Sequence, residues 1–522
     1  MEANLAPGNE LNNELNNAMK IISSRETSRY LEAYKTFENI AETIKGPIGE
    51  EAKSRLTYCL YYGIGIESNK KKAYEMLNNV NTPYGYFLRG IIYINGIIDL
   101  ILPNPQKAII CFNLSIKGYP VESNIKLGDI YMEMYNTNNT NTDNKILEKA
   151  KECYKKSVES KNAEAMYKLA VIYIMQEKKP KKTIKLLTQS KELNNSDAIF
   201  KLAYLYQNGI LVEKDIDKAI ELFKQVDTQV AHYNLGILYA GKKMYGDAKE
   251  CYIKANIPQA YYNLGLIEAN NKYFSEAFLH FKIAAVNGIK EAQQILASYY
   301  QFGKGTEINF QEAIKWFEKC GDCITVLNMY YLAYLYHNLA KATDTDKNSI
   351  NYQHCLYWFK KSSAHGYNGA TYCLALCYIK GLGMKKKNYP KGIKLYVQIM
   401  KCTNNEKVIE NFNSILTEAI QFYTSKLNDL LNESKRYLRY NYNLGVLNYY
   451  LKNYDAAITF YEEAAYNKYP IAQKALSYCY KKGIYYVKSI ESSKIWYNLY
   501  LNNNGEDEDE DEDEDENEIN ID

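Results

Sequence analysis

The sequence has no run of eighteen apolar residues, and Met1–Lys20 lacks the apolar core of a signal peptide. The first absence argues against a membrane-spanning helix, and the second argues against secretion. The eleven cysteines follow no regular spacing, so no disulfide framework is indicated. We therefore expect a cytoplasmic protein with reduced thiols, with the nucleus or a host-cell cytoplasm as alternatives.

Residues that carry catalysis or bind metals are also scarce. With five histidines, no Cys–His or other nucleophile–base pair stands out. Cys320 and Cys323 have zinc-ligand spacing, but a structural zinc usually needs a second pair. Cys355 with His354, or Cys373 with Cys377, could supply it, yet the spacing of four between Cys373 and Cys377 suits buried packing positions on a helix. We therefore expect no enzymatic activity, no catalytic or metal-binding residue and no cofactor.

Basic residues are missing from the end of the chain. The segment Glu506–Asp522 holds thirteen acidic residues and no basic one, so the remainder carries +16 although the whole chain carries +3. Because it has almost no apolar residues to bury, we expect a disordered acidic tail over 502–522. Such a tail is either solubilising or a competitor for a basic groove, which would make it autoinhibitory.

One phrase recurs along the sequence: Leu, then Gly or Ala, two residues, and an aromatic. The copies are KLGDIY at 126–131, KLAVIY at 168–173, KLAYLY at 201–206, NLGILY at 234–239, ILASYY at 295–300, YLAYLY at 331–336 and CLALCY at 373–378. A period of roughly 30–45 residues is typical of stacked helix pairs. The sequence therefore predicts an all-α solenoid of about twelve helix-turn-helix repeats.

The surrounding residues support this register. The three tryptophans, Trp316, Trp358 and Trp496, each lie three residues after a small residue and just before an aromatic one. Gly-x-Gly pairs such as Gly303 and Gly305 follow a predicted helix, not a strand, and lack the third glycine of a dinucleotide loop. We therefore interpret these pairs as turns between helices.

The pattern divides the chain into five parts. We expect a loose polar leader over 1–28, a helical repeat array over 29–400, and further repeats over 435–501. Between the arrays, 401–434 reads as an irregular amphipathic helical segment or a degenerate repeat, and both interpretations stay open. The acidic tail 502–522 follows.

The fullest units resemble the Sel-one-like repeats, which are related to tetratricopeptide repeats. The family pattern is met in the unit 198–226 by Ala198, Leu202, Tyr206, Gly209, Val212, Asp215, Lys218 and Ala219. The resemblance extends over roughly 52–500, with departures in the shorter units. It implies a right-handed α/α superhelix that acts as an adaptor in protein complexes and has no common catalytic residue.

A variable position directly precedes the repeated leucine. It is occupied by Lys126, Lys168, Lys201, Asn234 and Asn263 in successive units, and later by Asn443. Equivalent positions line up in a solenoid, and first helices line the concave face of tetratricopeptide-like arrays. The five residues from Lys126 to Asn263 therefore form a candidate peptide-binding ladder of hydrogen-bond donors, suited to an extended acidic segment. The alternative is a set of solvated helix faces.

The combined features favour a non-enzymatic scaffold that binds proteins or extended acidic peptides, with no membrane partner and no small-molecule substrate. The alternative is a nucleic-acid-associated protein, which the basic body and the abundant tyrosines favour. Against it, most tyrosines fall at repeat packing positions, and the lysines form no dense cluster. An enzyme, such as a hydrolase built on cysteine-rich relatives, lacks a nucleophile–base pair.

Overall fold

A computed structural model describes residues 7–97, 100–137, 144–176, 179–402, 406–428 and 435–503. These residues form α-helices joined by short turns, and an isolated antiparallel bridge joins Ile97 to Ile101. Two compact units, Met1–Ala255 and Asn256–Asp522, divide the chain. Within the described residues of each unit the fold is an all-α helical repeat solenoid, as the sequence predicts.

The first unit contains fourteen helices in its described part, and a 3-10 turn at Thr27–Arg29 precedes the second helix. They are α1 Pro7–Ser23, α2 Tyr30–Thr43, α3 Pro47–Tyr62, α4 Lys70–Leu77, α5 Pro83–Asn95, α6 Pro105–Ser115, α7 Pro120–Thr137, α8 Asn144–Glu159, α9 Ala163–Met175, α10 Pro180–Glu192, α11 Ser196–Asn208, α12 Ile216–Phe223, α13 Gln229–Gly241 and α14 Tyr245–Ala255. Each odd-numbered helix is the first helix of a pair, and the next helix is the second.

The second unit contains thirteen helices in its described part, with a 3-10 turn at Gly321–Cys323. They are α15 Pro258–Asn270, α16 Phe274–Val286, α17 Lys290–Phe302, α18 Phe310–Lys319, α19 Val326–Thr343, α20 Ile350–Ala364, α21 Asn368–Lys380, α22 Tyr389–Met400, α23 Glu406–Leu427, α24 Lys435–Tyr450, α25 Tyr454–Tyr466, α26 Pro470–Lys482 and α27 Ile490–Asn503. Pairing is regular except at α23, which stands alone between α22 and the pair α24–α25.

The second helix of each pair carries a buried small residue and, four positions later, a large apolar or aromatic residue. The small residues are Ala33, Ala73, Ala108, Ala150, Thr183, Ala219, Ala248, Ala277, Ala313, Cys355, Gly392, Ala457 and Ser493. The large residues, which we call sandwich residues, are Phe37, Leu77, Phe112, Tyr154, Leu187, Phe223, Tyr252, Phe281, Phe317, Phe359, Tyr396, Tyr461 and Tyr497. The first twelve are at most 2% exposed, so the repeat register places one anchor in each layer of the core.

Glycines on the first helices explain how closely the two helices of a pair approach. A Cβ added at Gly236 would lie 2.5 Å from the ring of Tyr252, and one added at Gly445 would lie 2.5 Å from the ring of Tyr461. Real Cβ contacts are longer than this, so the sandwich ring occupies the space that a side chain would need. The small residue of the repeated phrase is therefore a packing requirement.

The two glycines of a Gly-x-Gly loop have different structural roles. Gly303 ends α17 in the left-handed region, with φ +65°, and its N–H donates to the carbonyl of Tyr299. Gly305 also has positive φ, and a Cβ there would lie 2.1 Å from the carbonyl oxygen of Phe274 in the preceding pair. The predicted turn is thus also a close backbone contact with the preceding repeat.

Short polar side chains set where many second helices begin. Asn104, Asp215 and Asn309 each occupy the N-cap position, and each side chain accepts a hydrogen bond from the backbone N–H three residues later. Such caps satisfy one of the free N–H groups of a helix N-terminus. The family-like aspartate at 215 therefore has a structural role.

The structure differs from the expectation for one of the predicted parts. The polar leader predicted for 1–28 contains α1, because Leu15, Ala18 and Ile21 lie on one helical face and are buried against the core. The open question at 401–434 resolves to one helix of 22 residues, α23, over its described residues. Most of the tail predicted for 502–522 lies outside the described residues, and α27 continues to Asn503.

Candidate functional site

The ladder positions lie on first helices, next to deeply buried leucines. Lys126 is on α7, Lys168 on α9, Lys201 on α11 and Asn234 on α13, all in the first unit. Asn263 is on α15 of the second unit and therefore belongs to a separate compact body. All five side chains are partly exposed. Each is followed by a buried leucine, and adjacent residues of a helix point in different directions.

Asp129 brings two ladder lysines together. The Lys168 ammonium lies 2.7 Å from Oδ1 and 2.9 Å from Oδ2 of Asp129, although the residues are on different first helices. The same ammonium lies 2.6 Å from a Glu164 carboxylate oxygen, and Lys126 Nζ lies 3.8 Å from Asp129 Oδ2. Two lysines and two carboxylates thus form a network across the pair boundary, and their charges balance locally.

The network is partly shielded from water. The hydroxyl of the buried sandwich residue Tyr154 donates to Asp129 Oδ1 over 2.8 Å. Burial raises the pKa of Tyr154, and the Asp129 charge raises it further. For Lys168, burial lowers the pKa, but the hydrogen bonds to Asp129 and Glu164 outweigh this and raise it overall. Lys168 therefore stays an ammonium and acts first as a clamp between pairs.

The next ladder positions make contacts within their own helices. Lys201 Nζ lies 5.5 Å from the centroid of the Tyr204 ring, which is within reach of a weak cation–π interaction. Asn234 Nδ2 donates to the carbonyl of Val230 over 2.8 Å. The structure therefore joins Lys126 to Lys168, whereas Lys201 and Asn234 remain local. Asn443 differs from its counterparts, because it is only 2% exposed on α24, against which α23 packs.

The second unit contains a basic cleft that the sequence did not predict. The cleft has a volume of about 650 Å³ between the loop before α20 and the loop before α22. Among the described residues that line it there is no carboxylate, and four lysines are present: Lys360, Lys385, Lys386 and Lys387. Lys387 bonds to Glu418 over 2.8 Å, which raises the pKa of Lys387. The signal in the sequence was the run of three lysines directly after a Gly-x-Gly loop.

The two cysteines with zinc-ligand spacing, Cys320 and Cys323, differ in exposure. Cys320 is buried, and burial raises its pKa to about 11, whereas Cys323 is exposed in the 3-10 turn. Across the described part of the chain, no three His, Cys, Asp or Glu side chains converge as a metal site would require. Nor does any helix in that part combine the length and apolar character needed to cross a membrane.

Comparison with known proteins agrees with the helix pairing. The Sel1 repeat matches at residues 51–78, 83–118, 163–195, 196–225, 290–320, 329–367, 370–398 and 470–499. A tetratricopeptide repeat matches at residues 438–468, one of the shorter units. No curated protein matches the sequence.

Two solved structures are similar to the chain at low sequence identity, and the first of them reaches a TM-score above 0.5. One is c5321, a protective antigen present in uropathogenic Escherichia coli strains and displaying an SLR fold; it is 16% identical, with a TM-score of 0.51, and the match covers 90% of this chain and 94% of that one. Another is a Sel1 repeat protein from Oxalobacter formigenes, 19% identical, with a TM-score of 0.38 over 62% of this chain and 89% of that one. The chain is therefore a repeat protein built from Sel1 repeats together with a tetratricopeptide repeat.

Proposed function

We propose that this protein is a non-enzymatic scaffold that holds acidic segments of other proteins. The proposal rests on the basic cleft of the second unit, where four lysines line one surface and the described lining residues include no carboxylate. Of the four, Lys387 is already bonded to Glu418. Lysine side chains offer three donors each and suit carboxylates as point charges. In the first unit, the ladder adds Lys126 and Lys201, while Lys168 already has two carboxylate partners.

The proposed setting is cytoplasmic or nuclear. All eleven cysteines are free thiols, which suits a reducing compartment. Within this proposal the acidic segment Glu506–Asp522 has the charge to compete for the same lysines, so it acts as an internal brake on acidic partners.

The test uses a labelled synthetic peptide with the sequence of residues 506–518 as the acidic probe and measures its binding by fluorescence anisotropy. The cleft variant is Lys360→Glu with Lys386→Glu, and the ladder variant is Lys126→Glu with Lys201→Glu. The matched control is a third variant, Lys155→Glu with Lys181→Glu. It reverses the charge of two exposed lysines on second helices, so that the net charge changes equally in all three variants.

Each lost exposed ion pair is worth about 0.5–1 kcal/mol, so the cleft variant should bind roughly 5- to 30-fold more weakly than the control. We expect a smaller loss of affinity for the ladder variant, because Asp129 already balances part of the Lys126 charge. Equal affinity of all three variants would sink the proposal. Removing residues 506–522 should raise the affinity for the added probe. An unchanged affinity would show that the acidic segment does not compete with acidic partners.

Nucleic acid binding is the competing function, and the same three variants distinguish it. Phosphate binding depends on summed charge and falls steeply with salt. A single-stranded RNA that binds more tightly than the acidic peptide, and that weakens equally in all three variants, would favour the nucleic acid alternative.

A further inference from the structure

The last repeat of the described chain is left open on one side. Twelve of the thirteen sandwich residues are at most 2% exposed, whereas the thirteenth, Tyr497 on α27, is 46% exposed. Leu501, one turn later, is 53% exposed as well. The sandwich position is therefore buried in the other twelve pairs and nearly half exposed at α27.

The cause is visible at an interior sandwich residue. Phe281 on α16 contacts Tyr262 of its own first helix, with 6.1 Å between ring centroids, and Tyr299 of the following first helix, with 5.5 Å. Phe281 is thus covered from two sides. Tyr497 has its own first helix, α26, but no described helix follows α27.

The opposite end of the described chain is closed differently. Helix α1 buries Leu15 and Ala18, and its outer face is lined by exposed polar residues that include Asn12, Asn13 and Asn16. Terminal repeats of solenoids need such a polar outer face to stay soluble. Helix α1 has the composition of a cap, and α27 does not.

We propose that the terminal face, formed by Lys494, Tyr497 and Leu501, docks an amphipathic helix of another protein. This helix takes the place of the next first helix and presents a small residue and a leucine to Tyr497. Lys494, three residues before Tyr497, is exposed, and a lysine stem can cover apolar surface while its ammonium stays in water.

Charge selects the kind of helix. Glu506–Asp522, with thirteen carboxylates, begins five residues after Leu501 in the sequence. A partner helix with lysines or arginines beside its apolar stripe gains from this charge, whereas a second copy meeting the face end to end would bring two acidic segments together. Stacking of the face on α1 of a second copy is disfavoured by the asparagine-rich outer face of α1.

Helix α26 shows what the partner looks like. It is the first helix that covers the interior sandwich residue Tyr461, since α26 packs against α25. It combines Leu476 in the core with exposed Lys474, Lys481 and Lys482. A labelled peptide with the sequence of residues 469–483 is therefore a suitable probe, and a scrambled peptide of the same composition is its control.

The experiment titrates the full chain against the labelled peptide. Tyr497→Asp should weaken binding about tenfold or more, because it removes the central anchor of the face. Tyr245→Asp is the matched control, because Tyr245 is 45% exposed at a site on α14 remote in sequence, and it should leave the affinity unchanged. Removal of residues 506–522 should weaken binding and flatten its salt dependence.

Three outcomes would overturn the proposal: no saturable binding to the unmodified chain, equal binding of the scrambled peptide, or equal effects of Tyr497→Asp and Tyr245→Asp. A concentration-dependent dimer that Tyr497→Asp dissolves, seen by sedimentation, would assign the face to a second copy and refute the stated partner. The terminal face shares no residue with the basic cleft or the ladder, so its failure and that of the acidic-segment proposal are separate results.

Discussion

The second glycine of the Gly-x-Gly loop should tolerate no side chain, and Gly305→Ala tests this. The new Cβ would lie 2.1 Å from the carbonyl oxygen and 2.3 Å from the carbonyl carbon of Phe274, both in the backbone of α16. A rotamer change cannot relieve a clash with backbone. In addition, φ is +64° at this position, which costs a non-glycine residue about 1–2 kcal/mol.

Moving the loop away from α16 adds an overpacking cost of about 1–3 kcal/mol. We therefore expect Gly305→Ala to destabilise its repeat by about 2–5 kcal/mol. Local unfolding of a solenoid need not be two-state, so the readout is hydrogen exchange of the α16 and α17 amides, with urea unfolding as the global measure.

Leu211 provides the matched control within the chain. It occupies the same place after Gly209 as Gly305 does after Gly303, and its φ is +63°. Because a side chain is already accommodated there, Leu211→Ala should change stability by less than about 1 kcal/mol. If Gly305→Ala exchanged its amides as slowly as the unmodified chain, the claimed contact between the loop and α16 would be refuted.

Three further predictions concern the packing, the Asp129 network and the pH range of stability. Gly445→Val should destabilise the repeat by about 2–4 kcal/mol in urea unfolding, because the Tyr461 ring fills its space, whereas Gly241→Ala, with nothing within 4 Å, should not; equal effects would contradict the close approach. Asp129→Asn should cost about 1–2 kcal/mol in urea unfolding, by removing a partly buried ion pair that joins two repeats, and the loss should shrink little in salt; no measurable loss would leave Lys168 without its clamp role. Burial raises the pKa of Cys59 from 9.0 to about 12, so the neutral thiol contributes its full stabilisation below pH 9. The free energy of unfolding should fall by up to ~4 kcal/mol as the pH rises from 9 to about 12. Cys59→Ser should flatten the pH dependence of urea unfolding between 9 and 12, and an unchanged slope would refute this prediction.

The repeat register was readable from the sequence because it repeats. The small residue after the leucine, the aromatic anchors and the glycine turns recur in many copies, and each copy confirms the same packing rule. The tryptophan position also holds, since Trp316, Trp358 and Trp496 all lie on second helices, one residue before a sandwich residue.

Contacts between repeats were not readable in the same way. The Asp129 network depends on which side chain of α9 reaches which side chain of α7, and that depends on the stagger of adjacent pairs. The basic cleft likewise needs two loops that are far apart in sequence. Helix α1 had a signal in the spacing of Leu15, Ala18 and Ile21, but the asparagines between them gave the segment the composition of a loop.

The sandwich residues also bear on how such a chain changes length during evolution. Each regular pair supplies one sandwich residue, and inside a run of regular pairs the next first helix covers it. Duplicating or deleting a whole pair within such a run therefore creates no new uncovered anchor. The number of open faces therefore does not depend on the number of pairs. Recombination between repeats can then lengthen or shorten a run of regular pairs while the packing rule of every remaining pair stays the same.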